Sequence, residues 1–271
     1  MVDATTNPQP TTNSATVTQT RDLPVVVDRA AWQAEIDRLR VREKAQTREG
    51  DAIAAARRRL PIVEVDATIP LIGEHGPVTL LDTFEGRRQL IAYYHMWYPG
   101  QPAEAQCEGC TLYTGQVREL SFLHSRDVTY ATFCQGPYEE SRRYRDFMGW
   151  DQPWYSVQNS AQALLAGRQL NHFYLVCYLR DSDRVFETYW TTGRGVEAMD
   201  YSNALLDRTI HGRQETWEDS PDGWPQHWGR NTQQPNPYRT NGRPISQWDR
   251  LKAGRSDDLG TPTSALQANH S

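Results

Sequence analysis

Two cysteines, Cys107 and Cys110, stand three positions apart with Glu108 and Gly109 between them. They follow a loop after the apolar run 90–94 and open a helical pattern, the placement that thiol chemistry uses. Unpaired backbone N–H groups and the helix dipole favour a thiolate at such a position. In a redox reading Cys107 is the more exposed sulfur and attacks an oxidised substrate. Cys110, one turn inward, then resolves the mixed disulfide. The carboxylate of Glu108 opposes thiolate formation, so the spacing predicts no strongly depressed pKa. This chemistry needs no cofactor; its partner is a thiol, a disulfide or another small molecule.

A second reading uses the same sulfurs as metal ligands. His95 ends the run 90–94, Cys134 ends the next strand pattern, and His172 directly precedes a third strand pattern that starts at Phe173. Cys107, Cys110 and His172, with His95 or Cys134, make a soft-metal set for zinc or copper and a metal-dependent oxidative enzyme of a biosynthetic pathway. Each member also has a plain structural reading. The cysteine pair can be two packed thiols, Cys134 a buried thiol at a strand end, and each histidine a hydrogen-bonded side chain. Cys177 sits in mid-strand and is expected in the core. Trp97, Tyr98, Trp154 and Tyr155 crowd the loops on this side, where they could line an apolar substrate pocket or pack as core. Trp150 shares that ambiguity.

The 271 residues are 38% hydrophobic, which fits a globular chain of one large domain with extensions. A net charge of -5 gives no electrostatic footprint for nucleic acid. No apolar stretch approaches the roughly 18 residues of a membrane span. The N-terminus lacks the basic and then apolar regions of a secretory signal, so a cytoplasmic location is expected. Four cysteines are too few for a disulfide scaffold in so long a chain.

Residues 1–22, rich in Thr, Asn, Gln and Pro, are expected to form a disordered arm. Residues 23–61 form a helical extension: Asp28 can cap a helix carrying Trp32, Ile36 and Leu39 on one stripe, Gly50 should break or kink it, and a second piece ends at Pro61. The extension is a candidate homodimer arm or packs on its own domain. The domain proper spans 62–212. Its patterns are a strand at 62–66, a hairpin over 69–81, and the central strand at 90–94. A helix follows the cysteine pair, with Leu112, Val117, Leu120 and Leu123 on one side, and then a strand at 127–134. Pro137 opens a charged, solvent-facing helix to Met148. A short strand at 154–157, a hairpin over 171–191 and a helix at 196–210 complete it. Residues 213–252, with Trp217, Trp224, Trp228 and Trp248, read as an irregular tail packed on the domain, and 253–271 as disordered. The class is α/β: a thioredoxin-like mixed sheet flanked by helices.

The chain resembles a bacterial thioredoxin-like family, domain-of-unknown-function family 899. The resemblance is carried in order by Trp32 with its charged helix, Arg58-Arg-Leu-Pro61, Gly86-Arg-Arg-Gln-Leu-Ile91, Cys107-Glu-Gly-Cys110, Arg126-Asp-Val-Thr129, Met148-Gly-Trp150, Pro153-Trp-Tyr-Ser156, Phe186-Glu-Thr-Tyr189 and Arg194-Gly-Val-Glu197. It extends over about residues 25–230. It implies a fold close in layout to peroxiredoxins, whose reactive cysteine also follows a long loop after the central strand. The chain departs from that pattern: Glu108 stands where Pro is frequent, and Gly100 and Glu104 occupy the places of the Pro and Thr that precede a peroxidatic cysteine. The expectation is a thiol-disulfide oxidoreductase, with the metal-dependent enzyme and a non-catalytic interaction module as alternatives.

Overall fold

The computed structural model describes residues 23–226. In chain order the elements are α1 (Arg29–Arg57), β1 (Val63–Val65), β2 (Pro70–Gly73), β3 (Gly76–Thr79), β4 (Gln89–His95), α2 (Glu108–Gln116), α3 (Ser121–His124) and β5 (Val128–Cys134). There follow α4 (Tyr138–Met148), β6 (Trp154–Ser156), α5 (Ala161–Leu165), β7 (Tyr174–Asp181), β8 (Arg184–Thr191), a 3-10 segment (Gly193–Met199) and α6 (Tyr201–Leu206).

The eight strands form one sheet in the order β1-β8-β7-β4-β5-β6-β2-β3. β4 and β5 are parallel and are joined through α2 and α3, while β7 runs antiparallel to β4 and β8 antiparallel to β7. A β-α-β unit followed by a β-hairpin and helical turns on one mixed sheet is the thioredoxin-like fold. The two central strands pair in parallel register, with His95 beside Cys134.

Alternation along β4 divides the core. Leu90, Ala92 and Tyr94 face a cluster with Phe84, Ala131, Phe133, Val176 and Tyr178. On the opposite face, Tyr93 packs with Cys110, Tyr113, Tyr130 and Leu175. Further along that face, Trp97, Cys134, Tyr144, Trp150 and Trp154 make a separate aromatic cluster. The two are joined where the Thr111 hydroxyl donates to the Cys107 carbonyl (2.8 Å) and accepts from the Tyr144 hydroxyl (2.8 Å). The helix that carries the cysteine pair is thus fastened to α4.

Several expectations are corrected. Asp28 does cap α1, accepting from the Ala31 amide at 2.8 Å, but the helix runs unbroken through Gly50 to Arg57. Gly50 has nothing within 4 Å of where a Cβ would stand, so it meets no packing demand that would bend the helix. No residue of α1 is fully buried, and Arg57 over the Tyr189 ring links its C-terminal end to β8. The helix after the cysteines is two pieces, interrupted where Val117 turns extended. α4 is not simply a solvated face. Glu140 is buried and accepts from Trp97 Nε1 at 2.9 Å and the Gly100 amide at 2.8 Å. α4 ends at Gly149, whose φ of 69° is the left-handed cap that glycine adopts without strain. α5 had no forecast, and the final helix is the 3-10 segment plus α6 rather than one continuous piece.

Of the expected tail, residues 213–226 lie within the described residues. Arg213 is buried and pairs with Glu197 and Asp207, holding the start of this segment to the domain. His211 and Trp224 pack edge to face at 5.1 Å. Residues 1–22, 227–252 and 253–271 lie outside the described residues, as do Trp228 and Trp248. No helix among the described residues is long and apolar enough to cross a membrane.

Candidate active site

The cysteine pair sits past the carboxyl end of β4, where open α/β sheets hold their ligands. Cys107 is the N-cap of α2, and its sulfur accepts the Cys110 amide at 3.3 Å. The nine residues of α2 leave their first amides unpaired inside the helix, and those amides point at this sulfur. The loop that delivers Cys107 is held by Gln106. Its amide oxygen accepts from the Tyr98 backbone N–H at 3.1 Å, and its nitrogen donates to the carbonyls of Tyr98 (2.9 Å) and Gln101 (3.0 Å).

The two sulfurs differ in kind. Cys107 is partly exposed and Cys110 is buried, and both are free thiols. The Cys107 pKa is pulled below the ordinary thiol value, chiefly by the hydrogen bond from the Cys110 thiol. Burial opposes this, and the amides of Cys110 and Gly109 support it. Glu108 does push upward, as expected, and is the last of these influences. Cys110 is driven well upward, first by burial and then by its neighbour Cys107. Tyr93, buried on the sheet side, packs in one cluster with Cys110, and Cys107 packs against that cluster.

This asymmetry has a direct signature. Alkylation of Cys107 by iodoacetamide should rise with pH and level off with a midpoint below the roughly 8.5 of a free cysteine, because only the thiolate reacts. A midpoint at or above that value in the reduced protein would contradict the arrangement of amides and thiol around Cys107.

The remaining candidate residues separate. His95 is fully buried, with Nδ1 2.6 Å from the Met96 carbonyl. A carbonyl only accepts, so Nδ1 carries the proton and Nε2 is a bare acceptor. Burial pushes its pKa down to about 4, which keeps the ring neutral. Trp154, Trp97 and Trp150 surround it at 5.5, 6.3 and 6.4 Å. Cys134 lies in that same aromatic cluster, and burial pushes its thiol up to about 12. His172 packs on Phe173 and Tyr174, and its Nε2 meets the Thr192 hydroxyl at 3.0 Å. Phe173, one residue on, is the side chain that faces Tyr113 of α2.

The proposed metal set therefore does not assemble. Strand alternation turns His172 towards Tyr174, and the tryptophan wall encloses His95 and Cys134. Among the described residues no three His, Cys, Asp or Glu side chains gather as a metal site. Cys177, expected in the core, is only half-buried, and burial raises its thiol to about 11.

The aromatic residues divide as well. Trp97 and Trp154 are buried, their indole N–H groups donating to Glu140 (2.9 Å) and to Ser141 (3.1 Å). They are core walls behind the site. Tyr155 packs on the other face of the sheet, against Phe133 and Gly73. Tyr98 alone of the four is exposed, and its hydroxyl senses both Cys107 and Cys110. A hollow of about 440 Å³ lies elsewhere, between Leu60, Ile62, Val63 and Trp190 at the β1 edge, with no cysteine in its lining.

Three neighbours of the pair escaped the sequence reading: Tyr93, Met96 and Gln106. The alternation of Ile91, Tyr93 and His95 along β4 carried the signal for the first. Nothing in the spacing marked the other two, whose places depend on the path of the loop.

The chain belongs to the family described as bacterial protein of unknown function (DUF899), whose model matches residues 21–234. No functionally curated protein matches the chain. Among solved structures, peroxiredoxin Q from Xanthomonas campestris is 16% identical, covering 55% of this chain and 96% of its own, with a TM-score of 0.37. Peroxidoxin BcpB from Mycobacterium tuberculosis is 15% identical over 51% and 91%, with a TM-score of 0.37. Thioredoxin from Wuchereria bancrofti is 13% identical over 52% and 91%, with a TM-score of 0.34.

Proposed function

We propose that this protein is a thiol-disulfide oxidoreductase that works through Cys107 and Cys110. The observation that carries the reading is the division of labour within the pair: a partly exposed sulfur capped by helix amides, above a buried thiol one turn inward.

In the first step the Cys107 thiolate attacks one sulfur of a substrate disulfide. The Cys107–substrate S–S bond forms, the substrate S–S bond breaks, and the other half leaves as a thiolate. Cys110 then loses its proton and attacks Cys107. The Cys107–Cys110 bond forms as the second substrate thiolate departs. Two electrons have passed from the protein to the substrate, and a cellular dithiol must return them. The hydrogen bond from Cys110 lowers the Cys107 pKa in the reduced state, which favours attack at neutral pH. Tyr98, exposed beside the pair, is the aromatic surface that a substrate meets first.

The test is an equilibrium one. Protein equilibrated in glutathione buffers of increasing oxidising strength should fall from four free thiols to two, and peptide mapping should find Cys107 joined to Cys110. Reduction should restore all four. Four thiols persisting in buffers that fully oxidise dithiothreitol would overturn the proposal.

A further inference from the structure

We infer that the reduced protein holds one Cu(I) ion between the sulfurs of Met96, Cys107 and Cys110. The site uses the two thiols of the proposed redox pair but does not require that they cycle.

The observation is a third sulfur. The Met96 thioether stands 3.9 Å from Cys107 Sγ, and that same sulfur accepts the Cys110 amide at 3.3 Å, which brings the second cysteine to it within one helical turn. Sulfur ligands bind a first-row metal at roughly 2.3 Å, so two sulfurs sharing one ion lie about 3.8 to 4.0 Å apart in tetrahedral or trigonal geometry. The spacing of Met96 and Cys107 already meets that requirement. Met96 is also held where it is. It follows directly on the end of β4, and the buried His95 ring donates to its carbonyl at 2.6 Å.

The donor set selects the ion. Thioether and thiolate sulfur are soft ligands, and together they suit Cu(I). Structural zinc closes a tetrahedron with a fourth thiolate, imidazole or carboxylate. The histidines are turned away, His172 to Thr192 and His95 into the tryptophan wall, and the Met96 thioether is not among the ligands that structural zinc takes. A two-thiolate, one-thioether triad is complete for a three-coordinate monovalent ion. Binding releases both thiol protons to solvent, and the single charge of Cu(I) offsets one of the two thiolates, leaving the site singly negative. Met96 and Cys107 are both partly exposed, so the ion can be delivered from solvent.

The experiment titrates fully reduced, full-length protein with Cu(I) under anaerobic conditions against the chromogenic chelator bicinchoninate. The wild type should retain one equivalent, and X-ray absorption should find three sulfur neighbours. Met96→Leu, a swap of similar volume, should bind at least about tenfold more weakly, with two sulfur neighbours. Cys110→Ser should lose tight binding. A wild type that yields all its copper to the chelator would overturn the inference, and so would Met96→Leu with unchanged affinity and sulfur count. Thiol counts in glutathione buffers, taken on the same preparations without copper, separate the two proposals. Copper bound by a protein whose cysteines never pair would end the redox reading and leave this one intact.

Discussion

Cys107→Ser should lose disulfide reductase activity by a factor on the order of 10³ or more, because the serine hydroxyl provides no comparable nucleophile and the covalent route closes. None of the other three thiols can take over. Cys110 and Cys134 have no exposed surface, and Cys177 sits on β7, on the sheet rather than at the helix terminus. The fold should survive the change, because a serine oxygen can accept the Cys110 amide as the sulfur does at 3.3 Å. Initial rates with a small aromatic disulfide, beside circular dichroism of the same samples, make the comparison. A Cys107→Ser protein that keeps most of its activity would remove this cysteine from the mechanism.

The second large effect concerns a residue with no side chain. Gly136 lies between β5 and α4, its carbonyl accepting from the Ser156 hydroxyl at 2.6 Å. A Cβ built there would stand 2.0 Å from Trp97 Cδ1, 2.3 Å from its Cγ and 2.8 Å from its Cβ. Rotating the indole cannot relieve the last of these, so the backbone of one strand end must move. Trp97 has little freedom to follow: it is 1% exposed, packs on Tyr144 at 5.5 Å, and donates to the buried Glu140. Gly136→Ala should therefore cost about 3 kcal/mol, the upper end of ordinary overpacking. For a domain of this size that lowers the melting temperature by roughly 10 °C. Because Trp97 directly follows Met96, reactivity at Cys107 should fall as well. Gly50→Ala is the matching control: its Cβ meets nothing within 4 Å in mid-helix, so it should be neutral or stabilising by about 0.5–1 kcal/mol. Equal melting temperatures for the two variants would contradict the account of Gly136.

The sheet was largely legible because its signals are local. The apolar run at 90–94, the alternation through Cys134 and the hairpin around Asp181 to Asp183 each state a strand and its neighbour, and the adjacency of His95 and Cys134 follows from the pairing. The CxxC at a helix start was legible for the same reason. What surrounds it was not. Met96 meets Cys107 only because residues 96–106 fold back under the clamp of Gln106, and no periodicity encodes that path. His172 looked poised towards the pair, yet strand alternation gives that role to Phe173. Glu140 was hidden by its charged neighbours, although Glu140, Tyr144 and Phe147 repeat at helical spacing on the buried side. α1 misled in the opposite way: its Trp32 and Leu39 stripe reads as a packing face, but both side chains are exposed.

The roles of the two sulfurs are tested most directly by trapping the intermediate. Reduced Cys110→Ser protein is mixed with an aromatic disulfide whose departing thiolate is coloured, and intact mass and peptide mapping follow. One coloured equivalent should be released, with one aryl thiol left stably attached to Cys107. The wild type should release two equivalents from this pair and end as the Cys107–Cys110 disulfide with no adduct there. An adduct carried by Cys134 or Cys177 instead, or a wild type whose Cys107 adduct is as long-lived as that of the variant, would contradict a nucleophilic Cys107 resolved by Cys110.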